Sequence, residues 1–128
     1  MSESEELTFD VLIEIPKGSR NKYEYDFTLH KIRFDRMLFS SMMYPGDYGF
    51  IPETLALDSD PLDVLVLGHQ PTYPIKEIEH FFRVYKDLEK KKVDVGGWGD
   101  AEEAIKIYHE CVQRYDESEH KKKRTFTI

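Results

Sequence analysis

Three carboxylates stand within six residues in Asp58-Ser-Asp60-Pro-Leu-Asp63. Two are separated by one residue and the third lies three further on, with Pro61 stiffening the stretch between. If the backbone bends there, the side chains converge, and their repulsion costs several kcal/mol unless a cation sits among them. Hard oxygen donors in a partly open site suit Mg²⁺, which keeps some of its waters and often pairs with phosphate. An exposed acidic loop satisfies the same spacing, and for a D-x-D taken alone it is the commoner meaning. A calcium EF-hand does not fit. Counting from Asp58, the sixth residue is Asp63 rather than Gly and the twelfth is His69 rather than Glu.

The acids outnumber the bases, and unevenly. The 128 residues hold 18 Lys+Arg and 25 Asp+Glu, a net charge of −7. Residues 1–73 carry 13 acids against 6 bases, and residues 74–128 carry 12 of each. The bases of the acidic part are Lys17, Arg20, Lys22, Lys31, Arg33 and Arg36. Lys22 and Glu24 share one face of a strand as i and i+2. Turned toward the acidic loop, that face offers a cation beside carboxylates, a mixed site able to take an anion bridged by metal ions. A surface ion pair worth about 0–1 kcal/mol is the alternative. Tyr44 and Tyr48, in Tyr44-Pro-Gly-Asp-Tyr-Gly-Phe50, could donate phenolic hydrogen bonds to phosphate oxygens or pack under a turn-rich loop. The histidines at 30, 69, 80, 109 and 120 show no ligand spacing.

Composition excludes several classes. A pI near 5.2 argues against nucleic acid as partner, since phosphate binding needs a basic footprint. The single cysteine, Cys111, rules out a disulfide framework and a thiolate zinc site. No apolar run reaches the roughly 20 residues of a membrane span, and the acidic start lacks the features of a signal peptide. A cytoplasmic, reducing setting is expected.

The elements that would position these residues follow from periodicity. Leu7 to Ile15 alternates with Leu7, Phe9, Val11, Ile13 and Ile15 on one face, which predicts a strand. Lys22–Phe27 and Lys31–Leu38 alternate again, with a hairpin turn near Thr28–His30. Residues 42–54, with Pro45-Gly46, Gly49 and Pro52, read as irregular. Asp63–Gly68 reads as a buried strand. After Pro74 the period changes: Ile75, Ile78, Phe82 and Tyr85 recur at helical spacing. Asp100 with Glu103 fits a capping box, opening a helix whose apolar face is Ala101, Ala104, Ile105, Tyr108, Val112 and Tyr115. Strands first and helices last indicate an α+β fold. The chain reads as one domain over 1–128: a β-rich part at 7–73 that holds the candidate metal and phosphate residues, a helical part at 74–116 and a loose tail at 117–128.

Several stretches together resemble the soluble family I inorganic pyrophosphatases. They are Ile13-Glu-Ile-Pro-Lys-Gly-Ser19, Asn21-Lys-Tyr-Glu-Tyr25, Phe34-Asp-Arg36, Tyr44-Pro-Gly-Asp-Tyr-Gly-Phe50, Thr54–Val66 around the aspartates, and the helical His80–Glu89. The resemblance implies Mg²⁺-dependent hydrolysis of pyrophosphate to two phosphates, on a small OB-like β-barrel followed by helices, in a homo-oligomer that is often a hexamer. By the same resemblance Asp58 and Asp63 bind metal, with Glu14 and Glu24 supporting through waters. Asp60 helps deprotonate the attacking water. Lys22, Arg36, Tyr48, Tyr85 and Lys86 hold phosphate groups, and Tyr44 lines the site.

The resemblance is interrupted at one place. In the family, several strands carrying an Asp-x₄-Asp-x-Lys run separate the Pro-Thr-Tyr-Pro stretch from the helix that follows. Here Pro74 runs straight into Ile75-Lys-Glu-Ile78, so the barrel is expected to be incomplete. The alternative function is then a shortened, catalytically impaired relative that binds phosphate, metal or a protein partner without turnover.

Overall fold

The structure is a computed structural model, described here over residues 7–38, 42–68, 75–84 and 97–119. Five strands precede two helices: β1 (Leu12–Ile15), β2 (Asn21–Asp26), β3 (Lys31–Met37), β4 (Asp47–Ile51), β5 (Leu62–Val66), α1 (Ile75–Val84) and α2 (Ala101–Asp116). They form an antiparallel sheet in the order β1-β4-β5 and a separate β2-β3 hairpin. Among the described residues the strands do not close into a barrel, which agrees with the α+β, incomplete-barrel expectation.

The hairpin lies where alternation predicts it. Asp26 shapes its turn, accepting from the backbone N–H groups of Leu29 (2.9 Å) and Thr28 (2.8 Å). The Leu29 N–H first, with Arg33 beside it, holds the Asp26 carboxyl below its ordinary range. His30 takes a positive φ of 55° to complete the turn. β3 carries one extra residue against β2: Lys22 faces Arg36 and Tyr23 faces Phe34, leaving Asp35 as a bulge.

Residues 42–54 differ from expectation. They contain β4, the central strand of the three-stranded sheet. Gly49, read from sequence as a loop residue, is a close-approach residue. A Cβ there would meet the Leu12 carbonyl oxygen at 1.9 Å and the Ile13 Cα at 2.8 Å. The sheet thus needs glycine where propensity would disfavour it.

β1 is also shorter than its alternation suggests. Leu7 and Phe9 lie before it and are exposed, and Phe9 stacks on Tyr108 of α2 at 5.1 Å. β5 is a half-exposed edge strand rather than a buried one.

The core is a cluster of Ile15, Leu38, Tyr44 and Phe81, with Tyr23, Met42, Tyr48 and Phe82 packed against it. α1 is amphipathic and buries Ile78 and Phe81; covering a side chain such as Phe81 contributes about 1.5–3 kcal/mol. Tyr44 lies 4.7 Å from Phe81, and Tyr48 lies 5.9 Å from Phe82. The helix therefore backs the strand that carries Tyr48.

α2 begins at an Asp100 cap that accepts from the Glu103 N–H at 2.9 Å, as the capping signature predicts. Its expected apolar face is only partly used: Tyr115 is buried, Tyr108 and Val112 are half-buried, and Ile105 is exposed; Cys111, outside that face, is buried as well. The helix is tied to the segment before the aspartates by Leu55 N–H to the Cys111 carbonyl (3.0 Å) and by Arg114 to the Leu55 carbonyl (2.7 Å).

Buried Thr54 closes the base of the aspartate loop. Its hydroxyl donates to the Ile51 carbonyl at 2.6 Å and accepts from the Leu62 N–H at 2.9 Å. Thr54→Val should cost about 1–3 kcal/mol, because the Leu62 N–H is then left without an acceptor. A shift in the urea midpoint at unchanged slope checks this.

Candidate active site

The aspartate loop folds on itself. Ala56 N–H donates to the Asp60 carbonyl at 2.7 Å, Ser59 N–H to the Ala56 carbonyl at 3.0 Å, and Asp60 N–H to Asp58 Oδ1 at 3.0 Å. Ser59 is held at φ 71°, a left-handed conformation that costs a non-glycine residue about 1–3 kcal/mol. The backbone bend that convergence of the aspartates requires is therefore present.

The bend delivers Asp58, Asp60 and Asp63 to one side of a cavity of about 420 Å³. Glu14 from β1, Lys22 and Glu24 from β2 and Tyr48 from β4 line it as well. β4 mediates the arrangement, since Ile13 pairs with Gly49 on one side while Asp63 pairs with Phe50 on the other. Tyr23, Tyr25, Phe27, Phe50 and Pro61 complete the wall.

Burial sets the electrostatics first, and neighbouring carboxylates add to it. Burial pushes the Glu14 carboxyl up to about 7; the Tyr25 N–H opposes this, Asp63 and Glu24 add to it, and Lys22 opposes it. That N–H donates to Glu14 Oε2 at 2.8 Å, joining β1 to β2 through a side chain. Asp63 is also raised, by burial first and then by the charges of Asp58 and Asp60, while a hydrogen bond from Tyr48 and the charge of Lys22 oppose the shift.

Lys22 is the one basic residue lining the cavity among the described residues. Its Nζ lies 3.3 Å from Glu24 and 3.5 Å from Asp35. Asp35 was not anticipated from the sequence. The bulge in β3 brings it beside both Lys22 and Arg36, whose Nη1 it accepts at 2.6 Å.

The raised Glu14 sets a pH dependence. Its proton is held in the native state and released in the unfolded one between pH 4.5 and about 7. Stability of the metal-free protein should therefore fall as pH rises through that window and then level off. Asp63, raised from its ordinary range, acts in the same direction. Glu14→Gln, which keeps an acceptor for Tyr25, should flatten the profile and raise Tm at pH 8 by about 3–6 °C, as differential scanning calorimetry can measure.

Two further expected site residues, Arg36 and Tyr44, lie outside the cavity lining. Arg36 stands opposite Lys22 in the hairpin, outside the cavity lining. Tyr44 is buried in the core cluster, 5.6 Å from Tyr48, and so takes the packing role. Tyr85 and Lys86 lie outside the described residues.

The donor set fits a hard divalent cation: all the candidates are oxygen donors, and two of them, Glu14 and Asp63, have carboxyls raised first by burial. Among the described residues no group of three or more His, Cys, Asp or Glu side chains is placed to hold a metal ion as it stands, so the fit rests on the chemistry of the donors.

Fold and cavity define the class as an α+β protein whose open antiparallel sheet carries a carboxylate-lined pocket with a lysine inside it. The sequence profile of the family described as inorganic pyrophosphatase matches residues 11–76 and 71–116, and the chain belongs to that family. It is similar to the inorganic pyrophosphatase of Methanosarcina mazei, 45% identical over 154 positions that take in 84% of this chain and 91% of that one.

In structure it resembles the inorganic pyrophosphatase of Thermus thermophilus, with a TM-score of 0.75 at 34% identity over 83% of this chain and 90% of that one. It also resembles the Helicobacter pylori enzyme, with a TM-score of 0.76 at 30% identity over 87% and 98%. An alignment of 154 positions exceeds the 128 residues of this chain, so it opens a gap within it. The two profile segments meet at residues 71–76, the junction at Pro74 where the sequence departs from the family pattern.

Proposed function

We propose that the cavity hydrolyses inorganic pyrophosphate to two phosphates with Mg²⁺, in a single cytoplasmic domain. One observation carries this reading: Glu14, Asp58, Asp60, Asp63 and Lys22 line one pocket in a chain of the inorganic pyrophosphatase family. Asp58 and Asp63 would hold Mg²⁺, with Glu14 and Glu24 behind them. A bound Mg²⁺ supplies positive charge against the phosphates and makes a neighbouring water more acidic.

The chain's own residues do the rest. Lys22 draws the anion into the pocket and balances charge that grows in the transition state. The Asp60 carboxylate accepts a proton from the attacking water. The water oxygen bonds to one phosphorus, the bridging P–O bond breaks, and the leaving phosphate departs with the electron pair. Asp63 accepts from the Tyr48 hydroxyl, which fixes that ring at the pocket wall. The acidic lining, with the phenol of Tyr48 beside it, orients a small anion only when cations accompany it. Buried, unbridged Cys111 is compatible with a reducing compartment, and among the described residues no helix is long and apolar enough to cross a membrane.

The test is phosphate release from pyrophosphate. It should require Mg²⁺, stop with EDTA, and fall by about 10²–10⁴-fold in Asp60→Asn. Calorimetric binding of Mg²⁺ or pyrophosphate with no phosphate release would overturn catalysis and leave a binding protein.

A further inference from the structure

A second cavity, of about 320 Å³, lies at the start of α2 and shares no residue with the carboxylate pocket. Trp98, Asp100, Glu103, Ala104 and Ile107 line it, and no Lys, Arg or His does. Ala104 and Ile107 stand three residues apart on one helical face. Trp98, the chain's one tryptophan, is 56% exposed and Ile107 is 41% exposed.

The tryptophan is exposed but held in place. Its Nε1–H donates to Glu79 Oε1 at 2.8 Å, and Glu79 Oε2 accepts from Arg83 Nε at 2.9 Å. Glu79 and Arg83 belong to α1, so a rigid element fixes the indole by one edge. That bond leaves the π faces of the ring unused. An aromatic ring ordered in advance loses little further freedom when a ligand settles on it.

The two acids of the cavity play different parts. Asp100 Oδ1 accepts from the Glu103 N–H at 2.9 Å and so matches the positive end of α2. Glu103 turns its carboxylate back over Gly99, where an added Cβ would meet Oε1 at 2.5 Å and Cδ at 3.0 Å. Gly99 thereby admits a negative group into the lining that Trp98 shares.

We propose that this cavity binds a small organic cation: a protonated amine or quaternary ammonium carried on a short apolar body. The cationic head lies over the indole, the ring that attracts such groups most strongly, with Glu103 as its counter-charge. The apolar body covers Ala104 and Ile107. Other ligand classes fit less well. An anion meets two carboxylates and no cation. A neutral apolar molecule would strip water from Glu103 and give it no partner. A hard metal ion gains nothing from indole and aliphatic walls. The volume is that of a small-molecule site, and its exposed walls hold the dissociation constant in the millimolar range. This inference is independent of the catalytic reading.

Tryptophan emission of the full chain reports on this site, because Trp98 is its one tryptophan. Tetraethylammonium chloride, titrated against sodium chloride at equal ionic strength, should change that emission saturably, with a midpoint of about 1–10 mM. Glu103→Gln, which keeps Asp100 as the cap, should raise the midpoint by about threefold, with unchanged circular dichroism. Saturation-transfer NMR of the ligand should lose its signal in Trp98→Ala and keep much of it in Trp98→Phe, where a ring remains. Asp63→Asn, in the carboxylate pocket, should leave the midpoint unaltered.

An emission change no larger than sodium chloride gives overturns the proposal. So does a midpoint that Glu103→Gln leaves unmoved, or a transfer signal that survives Trp98→Ala. A midpoint that moves in Asp63→Asn also overturns it, because the cation would then be held among the aspartates.

Discussion

Lys22→Met should lower phosphate release from pyrophosphate by about 10²–10³-fold, the loss expected when a charge-stabilising group leaves an active site. Lys22 opposes four carboxylates: it pairs with Glu24 and Asp35 and tempers the raised carboxyls of Glu14 and Asp63. Without it, the described cavity lining offers an anion no cationic side chain. Steady-state kinetics at saturating Mg²⁺ separate the two parts of the effect. A higher KM reads lost attraction, and a lower kcat reads lost support of the transition state. Lys22→Arg should retain much more activity, because charge is kept while geometry changes. A Lys22→Met rate within tenfold of the parent would remove Lys22 from the site. The same variant should lose more thermal stability at pH 8 than at pH 5, since the carboxyls it leaves behind are charged at the higher pH.

Gly49→Ala should destabilise the fold by at least about 3 kcal/mol, a large share of the 5–15 kcal/mol that holds a typical domain together. The methyl group would meet backbone atoms of β1, at 1.9 Å from the Leu12 oxygen and 2.8 Å from the Ile13 Cα, and backbone cannot rotate aside as a side chain can. β1 must separate from β4, which carries Glu14 away from Asp63. Activity should therefore fall together with Tm. Gly18→Ala is the control. Gly18 has a positive φ of 84° but nothing within 4 Å of an added Cβ, so it reports the conformational cost alone, about 1–2 kcal/mol. If Gly49→Ala costs no more than Gly18→Ala, the close approach of β1 and β4 is wrong.

Local pattern made part of this architecture readable. β2, β3 and the turn between them follow from alternation and from Asp26, and α2 starts where Asp100 and Glu103 indicate. The pocket was legible to the extent that short spacing carries it: Asp58, Asp60 and Asp63 are neighbours in sequence, and Lys22 and Glu24 are two apart.

What depends on distant pairing was not legible. β4 is concealed by Pro45, Gly46, Gly49 and Pro52, because its strand character comes from being held between β1 and β5. The bulge that moves Asp35 beside Lys22 leaves no trace in an alternating pattern. Thr54 resembles any loop threonine until both of its hydrogen bonds are seen. Tyr44 and Tyr48 are alike in sequence, yet of the two only Tyr48 lines the cavity, while Tyr44 is buried in the core cluster.

The Gly49 contact also bears on the order of assembly. The β2-β3 hairpin and the β4-β5 pair close over short stretches of chain, whereas β1 reaches β4 only after the whole hairpin has been bridged. Loop closure over longer stretches costs more entropy, so distant pairings tend to come late. Glu14 should therefore join Asp63 near the end of folding, when β1 docks on β4. The repulsion among the site's acids is absent while the chain searches and is felt only once neighbouring strands can bear it. A cation that binds this pocket should then leave the folding rate almost unchanged and slow unfolding instead, acting as a latch on the finished sheet.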